Sequence, residues 1–333
     1  MRPGATLGIF EIVVALAVSA YSQQSVPWWD ASPHTVRFVT VEENVRLEVL
    51  DWGGAGRSVV LLAGGGNTAH VFDELAPKLA IDYHVYGITR RGFGASGYSA
   101  SDNPLDRLRD DVLAVLGALK LERPVLVGHS IAGAELSAVA SAHPDRVAGL
   151  IYLEAGYPYA FDNGKGPKMK EFQMAGPGLP NPSESDLANF SSLQKWDAEV
   201  FGFPRPEVEL RQTWDADSAG RPRKARNFPG AQAFAAIMTS DRAHTRIPVP
   251  ALVVFALPHV PEGWIDRSTD PTTREAARIY YAAIDAATER QAKALEEGVP
   301  TARVVKLRAA HYIFLSNEGE TLREMRAFLA GLK

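Results

Sequence analysis

Hydrophobic positions along the chain alternate between strand-like runs and helix-like stripes. Residues 35–41 and 45–51 are rich in β-forming residues and flank a short polar connection, which predicts a hairpin. Residues 58–63 form a continuous apolar run followed by three glycines, as expected for a strand buried on both faces. Further strands are predicted at residues 84–88, 124–128, 147–153, 250–257 and 303–307. Apolar residues at helical spacing predict helices at residues 70–80, 105–121, 131–142, 272–297 and 317–332.

This alternation of strands and helices predicts an α/β fold with a mostly parallel, doubly wound sheet covered by helices. The composition supports a packed core, because 46% of the 333 residues are hydrophobic and 22% are charged. The net charge of -4 provides no broad basic field, so nucleic acid is not an expected partner. The sequence contains no cysteine, which excludes thiol catalysis and cysteine-ligated metal sites.

Residues 157–246 differ in character from the rest of the chain. They are rich in proline, glycine and polar residues, yet they carry scattered aromatic side chains that a disordered linker would lack. We expect a cap of short helices, inserted between two parts of a catalytic domain at residues 35–156 and 247–333. Its aromatics, with Met169 or Met174, would wall a substrate pocket. The basic run at residues 221–226 is expected to be a solvated loop.

The first twenty residues have the layout of a secretory signal peptide. Arg2 precedes an apolar run at residues 5–20, and Val18-Ser19-Ala20 resembles a small-residue cleavage site. Glu11 interrupts the run and favours the alternatives of a frayed terminal helix or a misassigned start. The protein is therefore expected to be secreted or periplasmic if residues 1–20 act as a signal, and cytoplasmic if they do not. No later stretch reaches the length of about 18 apolar residues that a stable membrane span needs.

The strongest chemical signal is the segment PVLVGHSIAG at residues 124–133. An apolar strand runs into a Gly-His-Ser turn, and a helix is predicted to begin at once. A turn this sharp needs small neighbours, and it holds the serine so that its hydroxyl stands clear of the sheet. Ala132 takes the place of the usual second glycine and is followed by Gly133. This context predicts that Ser130 is a nucleophile rather than the N-cap of an ordinary strand–helix turn.

These features resemble the α/β-hydrolase superfamily, and the resemblance covers residues 35–333. The segment LLAGGG at residues 61–66 is similar to the oxyanion loop of that superfamily. The segment RGFGAS at residues 91–96 is similar to the Arg-Gly-Phe-Gly-x-Ser segment that follows the next strand in these enzymes. The insertion after the sixth strand falls where these enzymes carry their cap. Ala63 and Thr89 depart from the common pattern, which has histidine and aspartate near these positions. The resemblance implies a capped, esterase-like serine hydrolase.

A serine hydroxyl is a weak nucleophile until a base removes its proton, so this chemistry requires a histidine. His311 follows the last predicted strand, at the edge of the sheet where the active sites of such folds collect. It matches the catalytic histidine of the superfamily and completes the chain order serine, acid, histidine. His129 adjoins Ser130 along the chain and cannot easily turn back to it, and His259 is the alternative base.

The acid of the expected triad has two candidate positions along the chain. Members of the superfamily usually take it from the end of the seventh strand, but residues 250–257 end without a carboxylate, and Glu262 and Asp266 lie several residues into the following loop. Glu154 stands directly at the end of the sixth strand, the position used by haloalkane dehalogenases. A carboxylate there could accept a hydrogen bond from His311 Nδ1 and stabilise the imidazolium. We expect Glu154 to be the acid, with Asp266 as the alternative.

The identity of the nucleophile determines the predicted reaction class. A serine at this turn argues against dehalogenase and epoxide hydrolase chemistry, which use aspartate there, and predicts an acyl-enzyme intermediate. The backbone N–H groups of Gly65 and Ile131 are expected to hold the developing oxyanion. No metal or cofactor is expected, because the sequence has no HExxH helix and its histidines are scattered.

The predicted function is the hydrolysis of a carboxylic ester, with a small-molecule acyl substrate as the partner. The alternatives on the same fold are a lactonase, a carbon–carbon bond hydrolase, an aminopeptidase and a cofactor-free haloperoxidase. A non-catalytic ligand receptor is the alternative outside the enzymes. The shape of the cap pocket distinguishes them, and composition does not encode that shape. The sequence therefore predicts neither the substrate's identity and chain length nor the oligomeric state.

Overall fold

The computed structural model describes residues 30–240 and 243–333, so the predicted signal peptide lies outside the described residues. Ten strands occur in this part of the chain, eight of them in one sheet and two in a small separate hairpin. In chain order they are β1 (Thr35–Glu42), β2 (Val45–Gly53), β3 (Ser58–Leu62), β4 (His84–Ile88), β5 (Val125–His129), β6 (Gly149–Leu153), β7 (Trp214–Ala216), β8 (Pro222–Ala225), β9 (Ala251–His259) and β10 (Ala302–Ala309).

The large sheet has the spatial order β1-β2-β4-β3-β5-β6-β9-β10. Strands β1 and β2 form the predicted hairpin, and β2 pairs antiparallel with β4. All the other neighbours in the sheet pair in parallel. The sheet is therefore mostly parallel, which confirms the fold class predicted from the sequence.

The helices cover both faces of the large sheet. In chain order the α-helices of the described residues are α1 (Ala76–Leu79), α2 (Pro104–Ala118), α3 (Ala132–Ala142), α4 (Phe190–Phe201), α5 (Glu207–Thr213), α6 (Ala231–Met238), α7 (Gly263–Arg267), α8 (Pro271–Gly298), α9 (Ile313–Ser316) and α10 (Glu318–Gly331). On one face, Val60 and Leu62 of β3 share a core with side chains of α2, α3 and α8. On the other face, Val59 and Leu61 share a core with side chains of α1, α9 and α10. A continuous apolar run is what a strand buried on both faces requires.

The single helix predicted at residues 70–80 is wrong. Two short pieces occupy this region, a 3₁₀ turn at Ala69–Phe72 and α1 at Ala76–Leu79. Proline occupies the first turn of α1, where its missing N–H is tolerated but where it cannot continue a helix from the preceding residues. The additional turn α9, just before α10, was not predicted either.

Between β6 and β9 the chain forms α4, α5, α6 and the β7–β8 hairpin. The expectation of a loop at residues 221–226 is wrong, because Pro222–Ala225 forms β8, although most of that strand is exposed. Asp217 in the intervening turn pairs with Arg221 and with Arg223, so the acidic residue organises the basic run into a hairpin. The helices of this segment agree with the expectation of short helical pieces. Across residues 30–240 and 243–333, no helix is long and apolar enough to cross a membrane.

Candidate active site

Ser130 lies in the sharp turn between β5 and α3. Its φ angle is 52°, in the left-handed region that non-glycine residues rarely adopt. Its backbone amide donates to the carbonyl of Leu153 on the neighbouring strand, which fixes the turn against the end of β6. Gly133 is required for this packing, since a Cβ there would lie 1.9 Å from the carbonyl oxygen of Ala155. The glycine that follows Ala132 therefore lets the turn press directly on β6.

His311 lies in the loop between β10 and α9 and faces Ser130. Its Nε2 atom is 3.0 Å from Ser130 Oγ, within hydrogen-bond distance. His129 fixes this loop, because its Nε2 atom donates a hydrogen bond to the carbonyl oxygen of His311 at 3.0 Å. Burial, together with the nearby His311, lowers the pKa of His129 to about 3, so His129 is neutral and remains a structural donor.

Glu154 lies immediately after β6 and is fully buried. Its φ angle of 50° is again left-handed, so the serine and this carboxylate occupy strained positions at the ends of adjacent strands. The Oε2 atom is 3.3 Å from His311 Nδ1 and accepts from the Tyr157 hydroxyl at 2.6 Å, while Oε1 accepts from the Ala256 amide at 2.8 Å. Burial acts to raise the pKa of Glu154, but His259 and His311 outweigh it and hold the pKa well below its usual range.

The alternative carboxylates lie elsewhere. Asp266 is exposed on α7 and lines a separate surface depression with Arg274. Glu262 lines the same cavity as Ser130 but accepts a hydrogen bond from Tyr281. Among the described residues, Glu154 is the carboxylate that contacts His311. The structure thus brings together Ser130, His311 and Glu154, and it keeps Asp266 apart from them.

The glycine-rich loop after β3 passes directly beside the serine. A Cβ on Gly64 would lie 3.2 Å from Ser130 Cβ, so this backbone contacts the turn as closely as a glycine permits. Within the described residues, the amides of Gly65 and Ile131 donate no hydrogen bond, and both remain available to a ligand. Arg90 braces the loop by donating to the carbonyl oxygens of Ala63 at 2.9 Å and of Gly64 at 3.3 Å.

Several residues at this site carry no signal in the sequence that marks them as functional. Arg90 is held by a buried ion pair with Glu135 on α3, and no local motif signals a contact between residues so far apart. Tyr159 lines the cavity beside Ser130, and burial raises the pKa of Tyr159 well above its usual value. His259, the alternative base, contacts Glu154 rather than Ser130. The sequence feature that could have placed His259 at the site is its position at the end of a parallel strand.

A cavity of about 320 Å³ opens at Ser130. It is lined mostly by aromatic and aliphatic side chains, and Glu154, Glu262, His259 and His311 are its ionisable members besides tyrosine. Met169 lines it, whereas Met174 does not. The lining residues contributed by residues 157–246 are Tyr157, Tyr159, Met169, Phe172, Phe201, Phe203, Phe234 and Met238.

Comparison with known proteins identifies the family. The profile of the alpha/beta hydrolase family matches residues 59–324, so the chain belongs to that family and is one of its hydrolases. A non-heme haloperoxidase of Rhodococcus erythropolis is 26% identical over 231 residues, which cover 65% of this chain and 80% of that protein. A bifunctional esterase/perhydrolase of Acinetobacter calcoaceticus is 26% identical over 185 residues, covering 53% of this chain and 64% of that enzyme, which is less than two thirds of its length.

Solved structures match the same fold. The crystal structure of E-2-(acetamidomethylene)succinate hydrolase superposes with a TM-score of 0.61 and 17% sequence identity, covering 90% of this chain and all of that one. At this identity the likeness establishes the fold alone. The relatives carry several different activities, so the substrate of this protein must be argued from its own residues.

Proposed function

We propose that the protein is a serine hydrolase that cleaves carboxylic esters of uncharged, apolar compounds through an acyl-enzyme intermediate. The observation that carries this proposal is the unbroken series of contacts from Ser130 Oγ to His311 Nε2 at 3.0 Å and from His311 Nδ1 to Glu154 at 3.3 Å. The series ends at the floor of an apolar cavity large enough for a small ester.

The mechanism follows from this arrangement. His311 takes the proton of Ser130 as the hydroxyl attacks the ester carbonyl, and the buried carboxylate of Glu154 stabilises the imidazolium that forms. The free amides of Gly65 and Ile131 hold the negative charge that develops on the carbonyl oxygen. His311 then gives its proton to the departing alcohol, and a water activated by the same histidine releases the acid from the enzyme.

The chemistry of the cavity supports an uncharged substrate. No lysine or arginine belongs to the described lining, and Glu262 and Glu154 provide negative charge. Both ring nitrogens of His259 already face carboxylates, those of Glu154 and Asp285. A substrate carboxylate would therefore enter without an unpaired cationic partner and beside two acidic side chains, which is energetically unfavourable. Aromatic side chains supply apolar area for an acyl or alkyl group instead.

We also propose that residues 157–246 act as a cap that determines substrate size. This segment begins three residues after Glu154 and supplies both methionines and most of the aromatic residues of the lining, from Tyr157 and Tyr159 to Met238. Other aromatics of the segment pack among themselves, as Trp196 and Trp214 do with ring centroids 6.3 Å apart. This division supports a role in substrate specificity for the residues that line the cavity.

The test is hydrolysis of p-nitrophenyl esters of increasing acyl length, recorded from the first turnover. The proposal predicts a burst of p-nitrophenol equal to the enzyme concentration, followed by slower turnover, with neutral acyl groups preferred over acyl groups that bear a carboxylate. Binding of these esters without turnover, at every acyl length, would contradict the proposal and favour a non-catalytic receptor.

A further inference from the structure

A second histidine contacts the acid of the proposed triad. His259 is the last residue of β9, and its side chain is 7% exposed. Its Nε2 atom is 3.2 Å from Glu154 Oε2, the same oxygen that faces His311. Its Nδ1 atom is 2.7 Å from Asp285 Oδ1, and its backbone amide donates to that oxygen at 3.1 Å. The histidine is therefore clamped between two carboxylates.

This geometry determines the protonation of the ring. An ionised carboxylate only accepts hydrogen bonds, so each ring nitrogen facing one must carry a hydrogen. A histidine with hydrogens on both nitrogens is an imidazolium with a full positive charge. The clamp therefore holds a cation against the buried Glu154.

We propose that His259, oriented by Asp285, is a positioning residue that supplies the positive charge needed to keep Glu154 ionised while His311 is neutral. The inference rests on the proposed function, because it assigns to Glu154 the task of stabilising a protonated His311. His259 itself does not touch Ser130 or the reacting atoms.

The electrostatic reason lies in the burial of Glu154. A carboxylate removed from water favours its protonated form unless a cation faces it. Tyr157 and the Ala256 amide donate hydrogen bonds to it but carry no charge. His311 must be neutral in the resting enzyme in order to act as a base. Among the described residues, the other cationic partner of Glu154 is His259.

The same clamp sets the range of pH in which the charge persists. Burial acts to lower the pKa of His259, but Glu154 and Asp285 outweigh it and raise the pKa to about 9. His259 is thus charged at neutral pH and loses its charge as the pH rises through about 9. Two carboxylates face His259 directly, those of Glu154 after β6 and Asp285 on α8. The other titratable groups of the adjoining cavity are Tyr157, Tyr159, Glu262, Tyr280, Tyr281, His311 and Tyr312.

The first arm of the test does not depend on activity. In the Ser130→Ala protein, nitrogen NMR of the histidine rings should find both nitrogens of His259 protonated at pH 7, with titration near pH 9. Replacing Asp285 by asparagine in that background removes one clamping charge and should lower the pKa of His259 by about one to three units. A neutral His259 at pH 7 in the Ser130→Ala protein, or a titration unaffected by Asp285→Asn, would overturn the proposal.

The second arm measures catalysis. His259→Gln keeps a hydrogen-bond donor near Glu154 but removes the charge, so the acidic limb of the kcat/KM profile should move up by about one to three pH units. The KM should change less than kcat. A uniform loss at every pH would mean that His259 acts only as a structural support, and would contradict the electrostatic role. If Ser130 proves not to be a nucleophile, the NMR arm still decides whether the clamp holds a cation.

Discussion

Replacing Glu154 by glutamine is the most informative perturbation of the proposed triad, because it removes a charge while nearly preserving shape. In the transition state the carboxylate faces a protonated His311 at 3.3 Å. With an effective dielectric constant of about 20, two unit charges at that distance attract by about 5 kcal/mol. At about 1.4 kcal/mol per factor of ten, this attraction corresponds to a loss of about 10³- to 10⁴-fold in kcat.

The assay is steady-state hydrolysis of a p-nitrophenyl ester by Glu154→Gln, with Asp266→Asn as the matched control. Asp266 is exposed on α7 and lines a different depression, so its variant should retain kcat within about twofold, as expected for a surface substitution. The KM of both variants should stay near that of the unmodified enzyme, because neither change removes an interaction that holds the ester in its ground state. A Glu154→Gln enzyme within tenfold of the original, or a larger loss in Asp266→Asn, would refute the reasoning.

Three further predictions concern the turn, the fold and the pocket. Gly133→Ala places a methyl group 1.9 Å from the Ala155 carbonyl oxygen and should lower the midpoint of thermal unfolding by several degrees or prevent folding; an unchanged midpoint would contradict the packing argument. Burial acts to lower the pKa of His70, but Asp73 and Glu48 outweigh it and raise the pKa to about 10. The protonated form of His70 therefore stabilises the fold fully below the unfolded pKa of about 6.5, and this stabilisation is lost as the pH rises towards 10. Chemical denaturation should therefore give a steeper fall in stability between pH 7 and pH 10 for the original protein than for His70→Gln, and equal slopes would contradict this assignment. Phe172→Ala enlarges the cavity and should raise the kcat/KM ratio of a long to a short acyl ester by about tenfold, whereas an unchanged ratio would exclude Phe172 as a size determinant.

The parts of the fold that depend on local pattern could be predicted from the sequence. The buried strands have apolar runs because Val59 and Leu61 face one core and Val60 and Leu62 face the other. The turn at Ser130 is also local, since a strand, a glycine-flanked serine and a helix follow one another without interruption. The β7–β8 hairpin depends instead on pairs between Asp217 and nearby arginines, which the basic composition of the run obscured.

The remaining site residues depend on contacts between distant parts of the chain. Glu154 could be named because it ends a strand beside the one that carries Ser130. Asp285 lies in the middle of a 28-residue helix, and nothing in its neighbourhood along the chain points to His259. Arg90 reaches Glu135 and the glycine-rich loop in the same way. Such contacts are set by how helices pack on the sheet, which a single sequence does not specify residue by residue.

Covalent labelling with a fluorophosphonate, followed by peptide mapping, tests the central claim most directly. We expect one adduct, located on Ser130, absent from Ser130→Ala and formed much more slowly in Glu154→Gln, because only an activated serine attacks the reagent. Adduct formation at another residue, or no adduct on a folded protein, would contradict the assignment of Ser130 as the nucleophile.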